Sequence, residues 1–208
     1  MWELKIFKHD EIKTSRKFKN NLRLANLWFA ISTGMQLANT TNLILGTGTV
    51  ILQAVSLLLL IMTITKDRGN LAKWFADKSL LLVTVIMGGS ALASLFYSEV
   101  IGYVPCLLCW YQRIAIFSIG IISFIALIKN HGKEVWSYIS TLSVLGIIVA
   151  VLHVFSRTTN SEIFDCSAVG ASCLQELFKV YGYIDIPVMS LTVLSFVVLI
   201  IINRKKFY

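Results

Sequence analysis

This chain is poor in charge. Only 14% of its 208 residues are Asp, Glu, Lys or Arg, whereas soluble globular domains carry about 25%. Apolar residues make up 56% of the chain, against about 45–50% in soluble domains. So little charge argues against an ordinary soluble enzyme and predicts an all-α protein that crosses a membrane several times.

Acidic residues are the scarcer charges, with 11 against 19 basic residues and a net charge of +8. In a soluble protein this excess would suggest a nucleic-acid partner. Here the basic residues flank apolar runs, so membrane topology explains them better and we expect no nucleic acid. The sequence also lacks a phosphate-binding loop, a hydrolase triad and any nucleic-acid-binding motif.

Six segments are candidate membrane spans, since about 20 apolar residues cross a bilayer as a helix. The clearest are 43–65, 79–101, 114–128, 135–155 and 184–202. A weaker candidate is 24–38, which contains the polar residues Asn26 and Gln36.

The distribution of positive residues favours counting all six. Residues 1–23 hold seven Lys or Arg, 66–78 hold four, 129–134 hold two and 204–206 hold three. Six spans place these 16 of the 19 positive residues on one side, which the positive-inside rule makes cytoplasmic. We therefore expect both termini in the cytoplasm and a turn at 39–42, where turn-forming Asn and Thr residues stand.

Residues 24–38 also allow another interpretation, as the apolar part of a signal peptide that follows a basic region. The length of that basic region and the lack of a clean Ala-x-Ala cleavage site argue against it. Its removal would leave five spans.

All four cysteines lie in short polar gaps between apolar segments. Cys106 and Cys109 belong to PCLLCWYQR, and Cys166 and Cys173 bracket CSAVGASC. The six-span topology places both loops outside the cytoplasm, where disulfides persist. A CxxC pair at a membrane edge and a second pair in another loop predict thiol–disulfide exchange coupled to a membrane partner.

Pro105 suits the first turn of a helix, so a helix is expected to begin near the CxxC pair. A cysteine at a helix N-terminus has a lowered thiol pKa, which favours the reactive thiolate. Two alternatives remain open: a purely structural disulfide, or half of a zinc site. Zinc would need four ligands and would leave Arg113 and His153 unexplained, so we expect no metal.

Arg113 and His153 are the ionisable residues that suit this chemistry. Arg113 follows Cys109 by four residues, on the same helical face, where a cation stabilises a thiolate and polarises a quinone carbonyl. The alternative interpretation of Arg113 is a side chain at the end of a span that reaches the lipid headgroups. His153 lies near the outer end of the fifth span and suits donation of a proton to a reduced quinone oxygen. The alternative interpretation of His153 is a buried packing residue without a role in the chemistry.

The segment after the second cysteine pair has an apolar stripe with helical spacing. Its members are Leu174, Leu177, Phe178 and Tyr181. The stripe predicts a short amphipathic helix on the membrane surface or against the bundle. Glu162, Asp165 and Asp185 are interpreted as solvated loop charges without a role.

At these residues the chain resembles the DsbB family of membrane disulfide oxidases, particularly its BdbC-like branch. The matching elements are PCLLCWYQR, His153 ahead of a second cysteine pair, CSAVGASC, and YIDIPVMSLTVLSF at the last span. The resemblance covers about 79–202. It divides the chain into a four-helix core, 79–208, and a basic N-terminal part with two additional spans, 1–78, which has no counterpart in that core.

The resemblance implies oxidation of a thioredoxin-like partner outside the bacterial cytoplasmic membrane, with electrons passed to ubiquinone or menaquinone. Cys109 would be the thiolate that faces quinone beside Arg113, and His153 would lie near the quinone ring. Cys106 would exchange with Cys173, and the partner's thiol would attack Cys166. The Cys166–Cys173 spacing is shorter than in the best-known members, which leaves open which of the two meets the partner.

Two rival functions use the same cysteines. One is a VKOR-like quinone reductase, which is also helical and has two cysteine pairs. The other is a membrane scaffold in which both disulfides are structural. The helix start at PCLLCWYQR and the order of the pairs favour the DsbB-like function.

Overall fold

The computed structural model describes residues 3–65, 69–129, 134–161 and 172–208, with side chains from Ser32 onward. These residues form six α-helices and no named strand. The helices are α1 Glu3–Ile64, α2 Asn70–Asp77, α3 Ser79–Leu95, α4 Leu107–Lys129, α5 Val135–Thr159 and α6 Ile186–Arg204. A π-helical turn over Phe96–Val100 extends α3.

Five helical segments of the described part are long and apolar enough to cross a membrane. They are Ser32–Ile64, Ser79–Val100, Leu107–Lys129, Val135–Thr159 and Ile186–Arg204. A helix satisfies every backbone N–H and C=O group within itself, which the apolar interior of a bilayer requires. The predicted all-α transmembrane class is confirmed.

The expected turn at 39–42 is wrong, because α1 is one helix of 62 residues that continues through it. The Thr40 hydroxyl donates to the Gln36 carbonyl at 2.9 Å, within the helix. Thr and Asn favour turns where water solvates the backbone, but in an apolar run the helix satisfies their polar groups. The expected spans 24–38 and 43–65 therefore belong to one helix, and the side chains before Ser32 lie outside the described residues.

The loss of one span removes the reason for placing both termini in the cytoplasm. An odd number of spans puts the two ends of a chain on opposite sides of the membrane. The placement of the cysteine loops depends only on α3–α6 and the basic segments beside them. It stays a prediction.

The chain divides into two compact units, Met1–Thr41 and Asn42–Tyr208, and the second contains the bundle. Helices α3, α4, α5 and α6 pack around a common apolar core. Its buried members include Val83, Met87, Ile116, Ile119, Ile139, Leu194, Phe196, Val197 and Ile200. Leu59 of α1 joins the same cluster, so this part of α1 packs on the bundle.

Gly146 lets three helices approach closely. A Cβ atom at this position would lie 2.9 Å from Leu194 Cδ1 of α6 and 3.0 Å from Ala115 Cβ of α4. Small residues of this kind bring helix backbones together in membranes, where packing rather than the hydrophobic effect holds helices. The close approach fixes the position of α4, which carries the CxxC pair.

Helix α6 has an N-terminal cap. The Asp185 carboxylate accepts a hydrogen bond from the Val188 backbone N–H at 3.0 Å, and Pro187 lies in the first turn. Both are standard features of a helix start. Asp185 is buried, so its interpretation as a solvated loop charge is wrong.

The predicted amphipathic helix over 174–181 is also wrong. The chain is irregular from 175 to 179, and a β-bridge between Val180 and Ile184 then closes a turn. Phe178 stacks on Tyr97 and Tyr103, with ring centroids 5.5 Å and 6.2 Å away. Phe178 therefore packs against the end of α3 and the residues that follow it, and a helix this short has little stability of its own.

Candidate functional site

The CxxC pair lies at the N-terminus of α4, as the position of Pro105 predicts. The first helical hydrogen bond runs from the Trp110 N–H to the Cys106 carbonyl at 3.1 Å. The Cys109 N–H points to the Cys106 sulfur at 3.4 Å, so Cys106 takes the place of a capping side chain. Its sulfur receives this one backbone donor at the positive end of the helix dipole.

The two thiols are in direct contact. Both cysteines are free, with their sulfur atoms 3.0 Å apart. The hydrogen bond from the Cys109 thiol lowers the pKa of Cys106 well below its usual range, His153 adds to the effect, and burial opposes it. The reduced pair therefore holds its negative charge at Cys106.

His153 is buried beside Cys106 and Cys173, with 2% of its surface exposed. Its Nδ1 lies 3.1 Å from the Gln112 amide nitrogen. That amide donates, so Nε2 carries the ring proton. Nε2 lies 3.3 Å from the Cys173 carbonyl oxygen and 3.8 Å from the Cys106 sulfur. The imidazole can therefore donate toward either group.

The second cysteine pair is described only in part. Cys173 is disulfide-bonded and almost fully buried, and it packs with Cys106 and Leu108. Cys166 lies outside the described residues, so its predicted contact with a partner stays a prediction. A small cavity of about 20 Å³ is lined by Cys106, Cys109, His153 and Cys173 among others. It has room for about one water molecule.

The sulfur atoms of Cys106 and Cys109 and a ring nitrogen of His153 lie within 4.8 Å of one another. These are three potential ligands for a soft metal ion. A structural zinc site needs a fourth. The expectation that the site holds no metal stays a prediction.

Arg113 is anchored to the end of α3. Its Nε donates to the Ser94 hydroxyl and its Nη2 to the Ser94 carbonyl, both at 2.7 Å. The guanidinium carbon lies 5.4 Å from the centre of the Trp110 ring. These contacts with Ser94 and Trp110 differ from the alternative of a side chain that reaches freely toward lipid headgroups.

A second, much larger cavity lies on the other side of Cys109. It has a volume of about 480 Å³, within the range of about 300–1,000 Å³ that is typical of small-molecule sites. Its walls come from α1, α3, α4 and α6 and are mostly apolar, with Arg113 and Gln112 among the few polar lining residues. Cys109 lines both cavities, whereas His153 lines only the small one.

Ion pairs hold the segment after Cys173 against the bundle. Arg157 of α5 lies 3.1 Å from the Asp185 carboxylate and 3.3 Å from that of Glu176. Lys179 also pairs with Glu176 at 2.8 Å and, as the larger of the two influences, lowers the pKa of that carboxyl. Arg157 thus joins the C-terminal end of α5, the start of α6 and the segment that follows Cys173.

Two residues of the site were missed by sequence reasoning. Gln112 stands within PCLLCWYQR, and a polar amide inside an apolar helical run was the available signal. Asp185 precedes Pro187 by two residues, which is a helix-start pattern. Both roles depend on position within a helix, which residue type alone does not give.

The region that matches known proteins has nearly the same boundaries as the bundle of α3–α6. The family described as "Disulfide bond formation protein DsbB" matches residues 76–203, which contain α3–α5 and nearly all of α6. No solved structure matches the chain significantly.

Curated relatives carry the same description. The SPbeta prophage-derived disulfide bond formation protein B of Bacillus subtilis is 39% identical over 99 residues, 48% of this chain and 66% of its own length, slightly under two thirds. A probable disulfide formation protein of Metapseudomonas resinovorans is 33% identical over 130 residues, 61% of this chain and 90% of its own. Disulfide bond formation protein C of Bacillus subtilis is 30% identical over 112 residues, 53% of this chain and 78% of its own.

The family match covers more than half of the chain, and its residues include the free CxxC pair, the buried histidine and the disulfide-bonded Cys173. The chain belongs to the DsbB family of disulfide bond formation proteins.

Proposed function

We propose that this protein oxidises the dithiol of a thioredoxin-like partner outside the bacterial cytoplasmic membrane and passes the two electrons to a membrane quinone. The net reaction converts a partner dithiol and a quinone into a partner disulfide and a hydroquinone. The observation that carries the proposal is the position of Cys109, which lies between a small cavity shared with His153 and Cys173 and a large apolar cavity.

The relay begins at the second cysteine pair. A partner thiolate attacks Cys166, breaks its bond to Cys173 and forms a mixed disulfide. The partner's second thiol then displaces Cys166, which leaves an oxidised partner and a reduced Cys166/Cys173 pair. Each exchange needs an attacking thiolate and an accessible sulfur.

The second step transfers the electrons within the protein. The Cys173 thiolate attacks Cys106 of an oxidised Cys106–Cys109 pair, and Cys109 leaves as a thiolate. Cys166 then attacks Cys173 and releases Cys106. The products are a Cys106/Cys109 dithiol and a re-formed second disulfide. The free Cys106 and Cys109 and the disulfide-bonded Cys173 support this order of transfer.

His153 and Gln112 act on the Cys106 side of this relay. The Gln112 amide holds the imidazole in the tautomer with a proton on Nε2, and that proton lies toward Cys106 and the Cys173 carbonyl. A hydrogen bond to sulfur stabilises a thiolate, so it makes Cys106 a better leaving group when Cys166 releases it. Gln112 is a positioning residue, since it acts through His153.

The larger cavity fits a quinone. A quinone has an apolar ring and two carbonyl acceptors, and the cavity offers apolar walls with one guanidinium beside Cys109. When bound, the quinone supplies the two-electron acceptor. Arg113 is held by Ser94 and places a fixed positive charge near Cys109, which stabilises the sulfur as a thiolate once Cys106 is engaged with Cys173. Cys109 and Arg113 are thus the residues that would face the ring.

The test is partner-dependent reduction of a short-chain ubiquinone or menaquinone analogue by the purified protein. The parent protein should turn over continuously, whereas Cys109→Ser should not. Undiminished quinone reduction by Cys109→Ser would overturn the proposal. Structural disulfides of a scaffold would resist a mild dithiol and would not respond to added quinone, whereas the thiols of a relay respond to both.

A further inference from the structure

Helix α1 forms one wall of the large apolar cavity, although it lies outside the residues that match the family, 76–203. The lining residues of α1 are Ile44, Leu45, Gly48, Thr49 and Leu52. Their spacing of three and four residues places them on a single face of the helix. The cavity is therefore enclosed by a helix that the family core does not supply.

Polar contacts hold this part of α1 to the bundle near the cavity. The Tyr97 hydroxyl donates to the Asn42 side-chain oxygen at 3.0 Å, in a buried position. The Gln53 amide donates to the Thr192 hydroxyl at 3.2 Å and accepts from the Tyr183 hydroxyl at 2.8 Å. Side-chain hydrogen bonds of this kind hold helices together in an apolar environment.

Two further attachments lie at other levels of the same helix. A Cβ atom on Gly46 would lie 2.9 Å from Val180, so α1 touches the segment before α6 there. The Lys206 ammonium donates to the carbonyls of Met62 and Thr63 at 2.9 Å. Attachment at several levels fixes which face of α1 meets the cavity, beyond what a simple membrane anchor requires.

Gly48 differs from Gly46 because it leaves space. A Cβ atom on Gly48 would meet no other atom within 4 Å, and Gly48 lines the cavity. Gly89 of α3 has both properties as well. The free volume beside Cys109 is therefore kept open partly by the missing side chain of a residue in α1.

We propose that α1 completes the quinone site of this protein, and that Gly48 determines how large an apolar ring ligand the cavity admits. This inference rests on the proposed function, because it assigns the large cavity to the quinone. It gives the additional N-terminal helix a role in ligand selection. A relative without this helix would leave the same side of the cavity to lipid.

The experiment compares Gly48→Leu with two matched glycine variants in the full chain. Gly89→Leu adds the same side chain to the α3 wall of the cavity, and Gly34→Leu adds it on α1 at a position that is open but does not line the cavity. The readouts are KM for a short-chain ubiquinone analogue and for menadione, and the rate at which a dithiol partner reduces the protein without quinone.

We expect Gly48→Leu and Gly89→Leu to raise KM for quinone at least about tenfold, with the larger effect on the larger ring ligand. Gly34→Leu should leave KM unchanged, and all three should exchange with the partner as the parent does. If Gly89→Leu raises KM and Gly48→Leu does not, the role of α1 is overturned while the proposed function stands. If the parent protein reduces no quinone, the proposed function itself fails.

A measurement on the unaltered protein covers the case in which the variants do not fold. A photoreactive azidoquinone is activated in the presence of the protein, and labelled peptides are identified by mass spectrometry. We expect label within residues 44–52 as well as on α3–α6, and excess unlabelled quinone should remove both. Label that competes on α3–α6 but never appears on α1 would overturn the inference.

Discussion

The two cavities beside the CxxC pair differ in volume and in the residues that line them. On the Cys106 side lies a cavity of about 20 Å³ with His153, Arg157 and Cys173 at its edge. On the Cys109 side lies a cavity of about 480 Å³ with apolar walls and the anchored Arg113. Cys106 lines only the small cavity, whereas Cys109 lines both, so the CxxC pair stands where two different environments meet.

This difference matches the two halves of the proposed reaction. Thiol exchange needs charge, protons and close sulfur atoms, which the Cys106 side supplies. A quinone needs apolar volume and a fixed positive charge, which the Cys109 side supplies. The CxxC pair joins the two environments, so variants on the two sides should affect different steps.

The largest expected effect is that of Cys109→Ser. Without the Cys109 sulfur, the electrons cannot reach the apolar cavity, so quinone reduction should fall on the order of 10³-fold or more. A reduced partner should still form a mixed disulfide with the second cysteine pair. Measured turnover of quinone with the partner in excess checks the fall.

The matched control for this change is Cys106→Ser, which removes the other sulfur of the pair. It should stop turnover equally, but it should also remove every disulfide between the two loops. Detection of a Cys106–Cys173 disulfide by mass spectrometry in an oxidised mixture of parent and partner supports the relay. Equal rates for parent and Cys109→Ser would contradict it.

The next effect is that of Arg113→Gln, which removes the positive charge beside Cys109 and keeps a hydrogen-bonding side chain. Loss of one preorganised electrostatic group lowers turnover on the order of 10²-fold. Partner exchange without quinone should be unchanged, because Arg113 lies on the other side of the pair. Arg204→Gln is the control, since Arg204 stacks on Trp136, away from both cavities; an equal loss there would contradict a local role.

A third prediction concerns the pH dependence of Cys106. Its lowered pKa means that the thiolate persists as pH falls below the usual thiol range and is lost only when pH falls through the lowered value. His153→Gln should raise that pKa, because it removes one of the groups that stabilise the thiolate, and should slow alkylation of Cys106 by roughly threefold near pH 4, with little change at pH 7.

The measurement is the rate at which iodoacetamide modifies Cys106 between pH 4 and 8. The reaction is sampled over minutes to hours, and the modified cysteine is identified by peptide mapping. The same protein unfolded in a denaturing detergent is the control, because its thiols should follow an ordinary titration. An unchanged profile in His153→Gln would show that the imidazole has no part in stabilising the Cys106 thiolate.

The smallest expected effect concerns Asp185, which supports the site from outside. Asp185→Asn keeps a capping side chain for α6 but loses the ion pair with Arg157, whereas Asp185→Ala loses both. Loss of the cap alone costs about 1 kcal/mol, so the Ala variant should unfold at a lower temperature than the Asn variant. Thermal unfolding in detergent measures the difference, and equal values would mean that the cap contributes nothing.

Much of the bundle and part of the site follow from the sequence. Apolar runs predict the helices of the core, and Pro105 predicts the start of α4 at the CxxC pair. These features depend on local chemistry that one segment contains. The grouping of Cys106, Cys109 and Cys173 around His153 agrees with the family resemblance, although the roles of these residues remain proposals.

The failures arise where a local preference competes with packing. The Asn and Thr residues at 39–42 favour a turn in water, but α1 continues because the helix satisfies their polar groups. Phe178 has helical spacing with its neighbours, yet it stacks on two tyrosines from another segment. The cavity walled by α1 could not be predicted, because it depends on how separate helices, with open positions at Gly48 and Gly89, pack around one space.

The most direct test of the division between the two sides is a single turnover without partner. Protein reduced only at Cys106 and Cys109 is mixed with one equivalent of quinone, and formation of the Cys106–Cys109 disulfide is followed with time. We predict stoichiometric disulfide and hydroquinone, with Arg113→Gln much slower than parent and His153→Gln close to it. Equal slowing by both variants, or no disulfide in the parent, would contradict the account.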